Sequence, residues 1–406
     1  MVKNIWNWLK EISNFLLLIV LLAGTFSYAM FQGGFVSWFL FYSFLPFGLY
    51  SVLVMLYPLD DFTVTRKIKS QDLKAGSHVT INISLKRKFP IPLFYLVMED
   101  QVSTSIFSTK ERTQVKKMIH PWFRKSIELE YEIENLPRGE HIFSGLELKT
   151  GDFLGLFQKT RSLEEKDSLL VYPSFIEMKY QPMNVRFDQG VASTEVKIQR
   201  DSTMVNGLRE YQSGDRVSWI HWKSFARTND LMTKEFEERK SHDVCVILDR
   251  TPSILFEDMV TFAASLARAV LKRGDQVGFI SSGRTKQQLP VRSGENHQQQ
   301  IFYQLAKVQG DSQETIEQVL EKEVSSFQQL ASCLVITSKL TSPLVHQLHD
   351  FTKNNHAVAI FLVKGSNDKI TVEEQRLKAL ASSKGIWIKE CHTGHFSNVF
   401  SEVKRA

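Results

Sequence analysis

At 406 residues, with 43% hydrophobic and 23% charged residues, the chain holds more material than one hydrophobic core usually organises, so two or more domains are expected. Its net charge of +6 is a mild basic excess that suits an anionic membrane surface and argues against nucleic-acid binding, for which basic residues should cluster on one element. Three widely spaced cysteines, Cys245, Cys333 and Cys391, form no CxxC pair, which excludes a disulfide framework and a zinc site. Cys245 and Cys333 lie inside apolar runs, as small core residues of a reducing compartment do.

Two apolar segments come first, residues 14–31 (NFLLLIVLLAGTFSYAMF) and 35–57 (FVSWFLFYSFLPFGLYSVLVMLY), neither holding a charged residue. Each can cross a bilayer, whose core takes about 20 helical residues. The connector Gln32-Gly33-Gly34 allows only a tight hairpin, so both ends emerge on one side. Lys3 and Lys10 precede the pair, Arg66, Lys67 and Lys69 follow it, and the connector has no positive charge. That asymmetry predicts a two-span protein of the cell membrane with both termini and the soluble domains cytoplasmic. A cleaved signal peptide would have a shorter apolar stretch and no second span directly after it. Small residues Gly24, Gly48 and Ser51 could line a contact between the spans. With no ionisable residue of the kind transport pathways need, residues 1–60 read as an anchor.

Residues 61–174 alternate polar and apolar residues in short runs at 78–85 (HVTINISL), 93–98, 127–133 and 146–150, with Gly, Pro and Asp at the breaks. This pattern predicts an all-β, sandwich-like domain. The segment 136–141 (LPRGEH) reads as a turn entering a strand. The segment 151–157 (GDFLGLF) reads as a second turn whose aromatics fold back onto the sheet, a matter of turn chemistry and core anchoring more than of binding. Lys86-Arg87-Lys88, Lys116-Lys117 and Arg124-Lys125 either touch anionic headgroups or are solvated loop charges.

Residues 175–240 form a long, irregular, highly charged arm whose heart is the run 207–228 (GLREYQSGDRVSWIHWKSFART). Arg209, Arg216 and Arg227 can pair bidentately with Glu210, Asp215 or Glu235, and guanidinium groups can stack on Trp219 or Trp222. Residue chemistry alone leaves two readings open, an interdomain latch and a polar surface for a protein partner or an anion.

Residues 241–406 alternate strand-like and helix-like segments, which predicts a parallel sheet with helices on both faces. Ligands of such sheets sit at the carboxyl ends of strands, and the first strand, DVCVILD, ends at Asp249. Asp249, Thr251 and Ser253 then supply a carboxylate and two hydroxyls at alternating loop positions, hard oxygen ligands of the kind Mg2+ takes. The neighbouring strand ends in Ser338-Lys339 where a second carboxylate would be needed, and a lysine there repels a cation.

Over nearly its whole length the chain resembles the DUF58 family. The resemblance is carried by Arg209-Glu210-Tyr211, Gly214-Asp215, Ile220, Trp222-Lys223, Ala226-Arg227 and Glu235-Phe236, together with Arg138-Gly139, Asp152, Gly155-Leu156-Phe157 and Val171-Tyr172-Pro173. His221 stands where an aspartate is common in the family. The resemblance implies that residues 241–406 are a von Willebrand factor A-like, Rossmann-like domain. It further implies a metal-dependent adhesion motif D-x-[ST]-x-S at Asp249, Thr251 and Ser253, degenerate because the later aspartate is replaced around Ser338. As partners it implies MoxR-type AAA+ ATPases and transglutaminase-like membrane proteins, without implying a reaction.

The sequence-based expectation is therefore a membrane-anchored, non-enzymatic scaffold or adaptor that engages a MoxR-type ATPase in assembly or remodelling of envelope proteins. Its docking surface or latch would be Arg209, Glu210, Tyr211, Gly214, Asp215, Trp222, Lys223, Ala226 and Arg227. The alternatives are an uncharacterised hydrolase and a lipid- or cell-wall-polymer-binding protein. Neither a P-loop motif nor H-E-x-x-H occurs, and His346-Gln347-Leu348-His349 lacks the glutamate. His221, Asp215 and Ser224 can be written as a triad, but proximity in sequence is not geometry.

Overall fold

The computed structural model describes residues 2–69, 73–102, 115–182, 198–212, 215, 217–240, 243–281, 283, 287–327, 332–353, 357–366, 368 and 370–400. They belong to two compact units, Met1–Tyr172 and Pro173–Ala406.

The first unit begins with helices α1 (Val2–Gln32) and α2 (Phe35–Leu56), joined through Gly33 and Gly34 at φ of 53° and 109°. Such angles suit glycine because it has no Cβ. The stretches Ile12–Gln32 and Phe35–Leu56 are long and apolar enough to cross a membrane. Their outer side chains face outward, Phe31 at 91% and Phe35 at 84% exposure. The helices approach closely at Gly48, where an added Cβ would stand 3.1 Å from Leu22 Cδ2. Gly24, by contrast, has open space beside it.

Among the described residues eight strands follow: β1 (Phe62–Lys69), β2 (Val79–Arg87), β3 (Leu96–Val102), β4 (Lys116–Ile119), β5 (Ser126–Ile133), β6 (Gly139–Gly151), β7 (Gln158–Leu163) and β8 (Asp167–Val171). They make two antiparallel sheets, β1-β2-β5 and β4-β3-β6-β7, with β8 paired to the first part of β6. The alternation read in 78–85 has a structural cause, since Val79, Ile81, Ile83 and Leu85 all point into the core that the two sheets share. Gly145 in β6 is required by close approach, because a Cβ there would lie 2.4 Å from the Leu163 carbonyl oxygen.

Within this core lies a buried ionic cluster. Arg66 donates from Nε and a terminal nitrogen to both oxygens of Asp100 (3.2 and 2.5 Å) and from its other nitrogen to Asp167 (2.9 Å) and the Glu165 carbonyl (3.0 Å). Tyr131 donates to Asp100 at 2.6 Å, and the guanidinium lies over the Phe143 ring. Arg66 and Asp100 side chains are fully buried. Burial pushes the Asp100 carboxyl up, against the opposing pull of the Tyr131 hydroxyl and the Arg66 charge.

The second unit opens with a two-stranded antiparallel ribbon, β9 (Ile198–Glu210) and β10 (Met232–Lys240), enclosing the short helix α3 (Trp222–Thr228). The arm expected to be irregular is thus partly a strand pair. It escaped reading because strands such as IQRDSTMVNGLRE and MTKEFEERK have no apolar alternation.

Beyond the ribbon come β11 (Val244–Leu248), α4 (Phe256–Arg273), β12 (Val277–Ser281), β13 (Gln287–Arg292), α5 (Glu295–Lys307), α6 (Ile316–Phe327), β14 (Ser332–Thr337), α7 (Ser342–Lys353), β15 (Ala357–Lys364), α8 (Val372–Ser383) and β16 (Ile386–His392). The sheet order is β13-β12-β11-β14-β15-β16, parallel except for the antiparallel edge strand β13. Strand β11 is buried at every position because both of its faces are covered, which is why it reads as an unbroken apolar run. On one face Cys245, Ile247, Val335 and Ile360 meet residues of α6, α7 and α8. On the other, Phe361 meets Phe262 of α4 with ring centroids 5.1 Å apart. Strand β13, which contains Pro290, had no apolar run to announce it, and an edge position is where a sheet tolerates proline.

Cys245, Cys333 and Cys391 are all buried thiols. Burial pushes the Cys333 thiol up to about 12. Alkylation with iodoacetamide at about pH 8 should therefore leave the native cysteines unmodified and label them only in denaturant, as peptide mass spectrometry will show.

Candidate functional site

Two places bear on function in the second unit, the arm and the loop after β11. In the arm, β9 and β10 pair Glu210 with Met232 and Arg209 with Thr233. This register brings Arg209 and Thr233 around the loop that follows β9. Arg209 donates to Asp215 Oδ1 at 2.6 Å, and Asp215 Oδ2 accepts from the Gln212 amide (3.0 Å) and the Thr233 hydroxyl (3.2 Å). The Arg209 hydrogen bond holds the Asp215 carboxyl below the usual carboxylate range, with the Gln212 amide assisting. A depressed carboxylate strengthens the folded arm above its ordinary value, and that support fades only as pH falls through the lowered one. The brace therefore persists throughout the neutral range.

Tyr211 is anchored through its amide to the Leu231 carbonyl (2.9 Å), and Ile220 is buried beside Thr233, with which it forms an isolated bridge. His221 caps α3, its Nδ1 accepting from the Ser224 amide at 3.1 Å. The helix ends at Asn229 in the left-handed conformation, where a short polar side chain is tolerated. What this frame presents is an outward face: Trp222 is 58% exposed, and Lys223, Ala226 and Arg227 are exposed on the same helix. Trp222 meets the Phe225 ring edge-on at 6.1 Å. Glu210 is also exposed. Gly214 and Arg216 lie outside the described residues, as does the side chain of Glu235.

The expected set thus divides. Arg209 and Asp215 are joined inside the arm, whereas Trp222, Lys223, Ala226 and Arg227 are displayed by it. Thr233, buried and bonded to Asp215, was not singled out from sequence, and a lone threonine in a charged strand offers no signal for that role. The His221, Asp215 and Ser224 arrangement is not a triad. His221 bonds the Ser224 backbone, and Asp215 bonds Arg209, Gln212 and Thr233. His346 and His349 likewise part company: His346 Nδ1 lies 2.8 Å from Lys384 Nζ, while His349 Nδ1 faces Thr352 and the Lys384 carbonyl.

At the carboxyl end of β11, the pairing Leu248 to Ile336 places Asp249 opposite Thr337 of β14. Asp249 Oδ1 accepts from the Thr251 amide (2.9 Å) and hydroxyl (2.7 Å), and Oδ2 accepts from the Thr337 hydroxyl (2.8 Å). Ser253 Oγ accepts from the Leu255 amide at 3.2 Å. Arg250 is buried and turned aside, pairing with Asp311 at 2.5 Å and donating to the Gln309 carbonyl at 2.9 Å. This donor set does not fit a resident Mg2+. It offers a single carboxylate, its two oxygens engaged by the Thr251 and Thr337 hydroxyls, where Mg2+ takes about six oxygen ligands. Asp249 works instead as the pin between two loops. Asp249→Ala should lower stability by about 1–3 kcal/mol through the donors it leaves unsatisfied. Magnesium and chelator should give the wild type the same melting temperature, and a rise with magnesium would show that a metal binds the fold.

In the first unit the turn 151–157 departs from expectation. Its aromatics pack onto the helices: Phe157 clusters with Leu18, Tyr50 and Val54, and Phe153 lies 6.1 Å from Phe47. Asp152 accepts from the Phe157 amide (2.8 Å) and from Ser51 of α2 (2.7 Å), and Asn14 of α1 donates to the Leu156 carbonyl (2.5 Å).

The chain therefore combines two apolar helices, a sheet-rich domain, and a braced arm leading into an α/β body. It belongs to the family described as "Protein of unknown function DUF58", whose model matches residues 207–394, from the arm through most of the α/β body. It is 39% identical over 344 residues to the "Uncharacterized protein YeaD" of Bacillus subtilis (strain 168), covering 84% of this chain and 86% of that protein. Among solved structures, proximal thread matrix protein 1 from the mussel byssus aligns with a TM-score of 0.28 at 16% identity, over 40% of this chain and 45% of that one. BslA, a bacterial hydrophobin, aligns with a TM-score of 0.16 at 10% identity, over 25% of this chain and 96% of that one. At these scores neither carries an argument about fold or function.

Proposed function

We propose that the protein is a membrane-anchored scaffold or adaptor whose arm engages a MoxR-type AAA+ ATPase, acting in the assembly or remodelling of envelope proteins. The observation that carries this reading is the display of Trp222, Lys223 and Arg227 on a short helix whose supports, Arg209, Asp215 and Thr233, are satisfied internally. An exposed tryptophan flanked by cations on a braced element is the composition of an interface anchor. An arm serving only as a latch would bury its aromatic.

The α/β body is von Willebrand factor A-like in this reading, which its sheet order and antiparallel edge strand support. Its Asp249 loop serves as a structural pin, and no step depends on a metal. Helices α1 and α2 cross the cell membrane, with both termini and the soluble domains cytoplasmic, and a transglutaminase-like membrane protein is a further partner. Affinity capture of the intact protein in mild detergent, with magnesium and a non-hydrolysable nucleotide for the ATPase, should recover a MoxR-type ATPase by mass spectrometry. A folded preparation free of any such ATPase would contradict the proposal.

A further inference from the structure

The apex of the first unit that adjoins α2 carries aromatic and basic residues on three loops fixed to one another. The segment after β2 and the segment before β5 are stapled by Arg87, which is 5% exposed. Its guanidinium donates to the carbonyls of Arg124 (2.7 Å), Ile91 (2.7 Å) and Trp122 (2.5 Å), and its amide donates to the Lys125 carbonyl (2.9 Å). Leu93 and Trp122 exchange backbone hydrogen bonds at 2.9 and 3.3 Å. Trp122 is held there at φ 52°, a left-handed conformation that a bulky residue seldom adopts. The staple turns Phe89 (58% exposed), Trp122 (49%) and Phe123 (57%) outward, beside exposed Lys88, Arg124 and Lys125.

The third loop is the turn 151–157, whose Phe153 is 52% exposed. Ring contacts run without a gap from α2 to this apex: Phe47 to Phe153 at 6.1 Å, Phe153 to Phe94 at 4.5 Å, Phe94 to Trp122 at 4.8 Å, and Trp122 to Phe123 at 5.8 Å. Phe47 precedes the end of α2 by nine residues, so this contact lies about 14 Å along the helix from its end. The apex is therefore continuous with the flank of a helix apolar enough to cross a bilayer.

We propose that this apex is a membrane-interface platform, in which Phe89, Trp122, Phe123 and Phe153 enter the headgroup and acyl boundary of the bilayer that α2 crosses. Lys88, Arg124 and Lys125 meet anionic headgroups around them. The proposal rests on the reading that α1 and α2 span a membrane. Large exposed aromatics next to a spanning helix match the amphipathic girdle found at bilayer surfaces, and the adjacent cations match the charge of an anionic leaflet. The ends of the turn are tied down at that depth: Asp152 and Phe157 bond each other, and Asn14 of α1 donates to the Leu156 carbonyl. The platform sets the sheet-rich domain against the membrane at more than its covalent tether.

The test is a depth measurement on the full chain. Separate Phe39→Cys, Phe123→Cys and Ile142→Cys variants, all at exposed positions, are labelled with an environment-sensitive fluorophore while the native cysteines stay buried. They are reconstituted in phosphatidylcholine and phosphatidylglycerol vesicles containing doxyl-labelled lipid. The proposal expects blue-shifted, strongly quenched emission at positions 39 and 123 and unquenched emission at 142. Quenching at 39 with position 123 resembling 142 would overturn the platform and leave the spanning helices standing. Absence of quenching at 39 would overturn the spanning reading and the platform with it.

Discussion

Replacing Arg66 with Met should destabilise the first unit by about 3–5 kcal/mol, the cost of leaving a buried carboxylate without its partner. Asp100 would keep only the Tyr131 hydroxyl, and Asp167 would lose its bond to Arg66. Thermal unfolding in mild detergent, followed by circular dichroism, is the measurement. The effect should also depend on pH with a definite sign. Burial already raises the Asp100 carboxyl above its ordinary value, and loss of the guanidinium raises it further. A carboxyl raised in the folded state supports folding while protonated, and that support is lost as pH rises through the folded value. The variant should therefore approach the wild type more closely at about pH 5 than at about pH 8. Replacing Arg66 and Asp100 together by apolar residues should recover part of the loss, because neither charge is then buried alone.

The second large effect concerns the arm. On the proposed function, Trp222→Ala should weaken binding of a MoxR-type ATPase by about 30- to 1,000-fold, the range of about 2–4 kcal/mol that truncating an interface tryptophan typically costs. The same change should leave the melting temperature nearly untouched, since Trp222 is 58% exposed and supports little of the core. Arg209→Met serves as the contrast. It removes the Asp215 brace, so it should loosen α3 and lower affinity indirectly, and protection of the arm's amides from hydrogen exchange should fall with it. In Trp222→Ala that protection should be retained.

How much of this was legible in the sequence follows from where each pattern has its cause. Strand β2 was readable because one of its faces is buried and the other is not, and β11 because both faces are buried. The apolar helices were readable from their composition alone. The β9 and β10 ribbon was not, because polar residues in two paired strands carry no period. At the arm, the sequence offered three guanidinium groups and several carboxylates without choosing among them. The choice of Arg209 with Asp215 is made by the register that sets Arg209 beside Thr233. Asp249 was visible as a carboxylate at a strand end, but its engagement by Thr337 depends on pairing between strands 88 residues apart in the chain. The turn at 151–157 was recognised as a turn, whereas its attachment to Ser51 and Asn14 required the helices to be placed beside it. Local chemistry was legible, and partners brought together by topology were not.

The central claim is that the exposed face of the arm touches an ATPase rather than locking the arm to its own chain. A photo-crosslinking residue placed at the exposed Lys223 position, activated in native membranes and followed by mass spectrometry, tests it most directly. The account predicts an adduct between this chain and a MoxR-type ATPase subunit, lost in the Trp222→Ala background. Adducts formed only within this chain would contradict it and make the arm a latch.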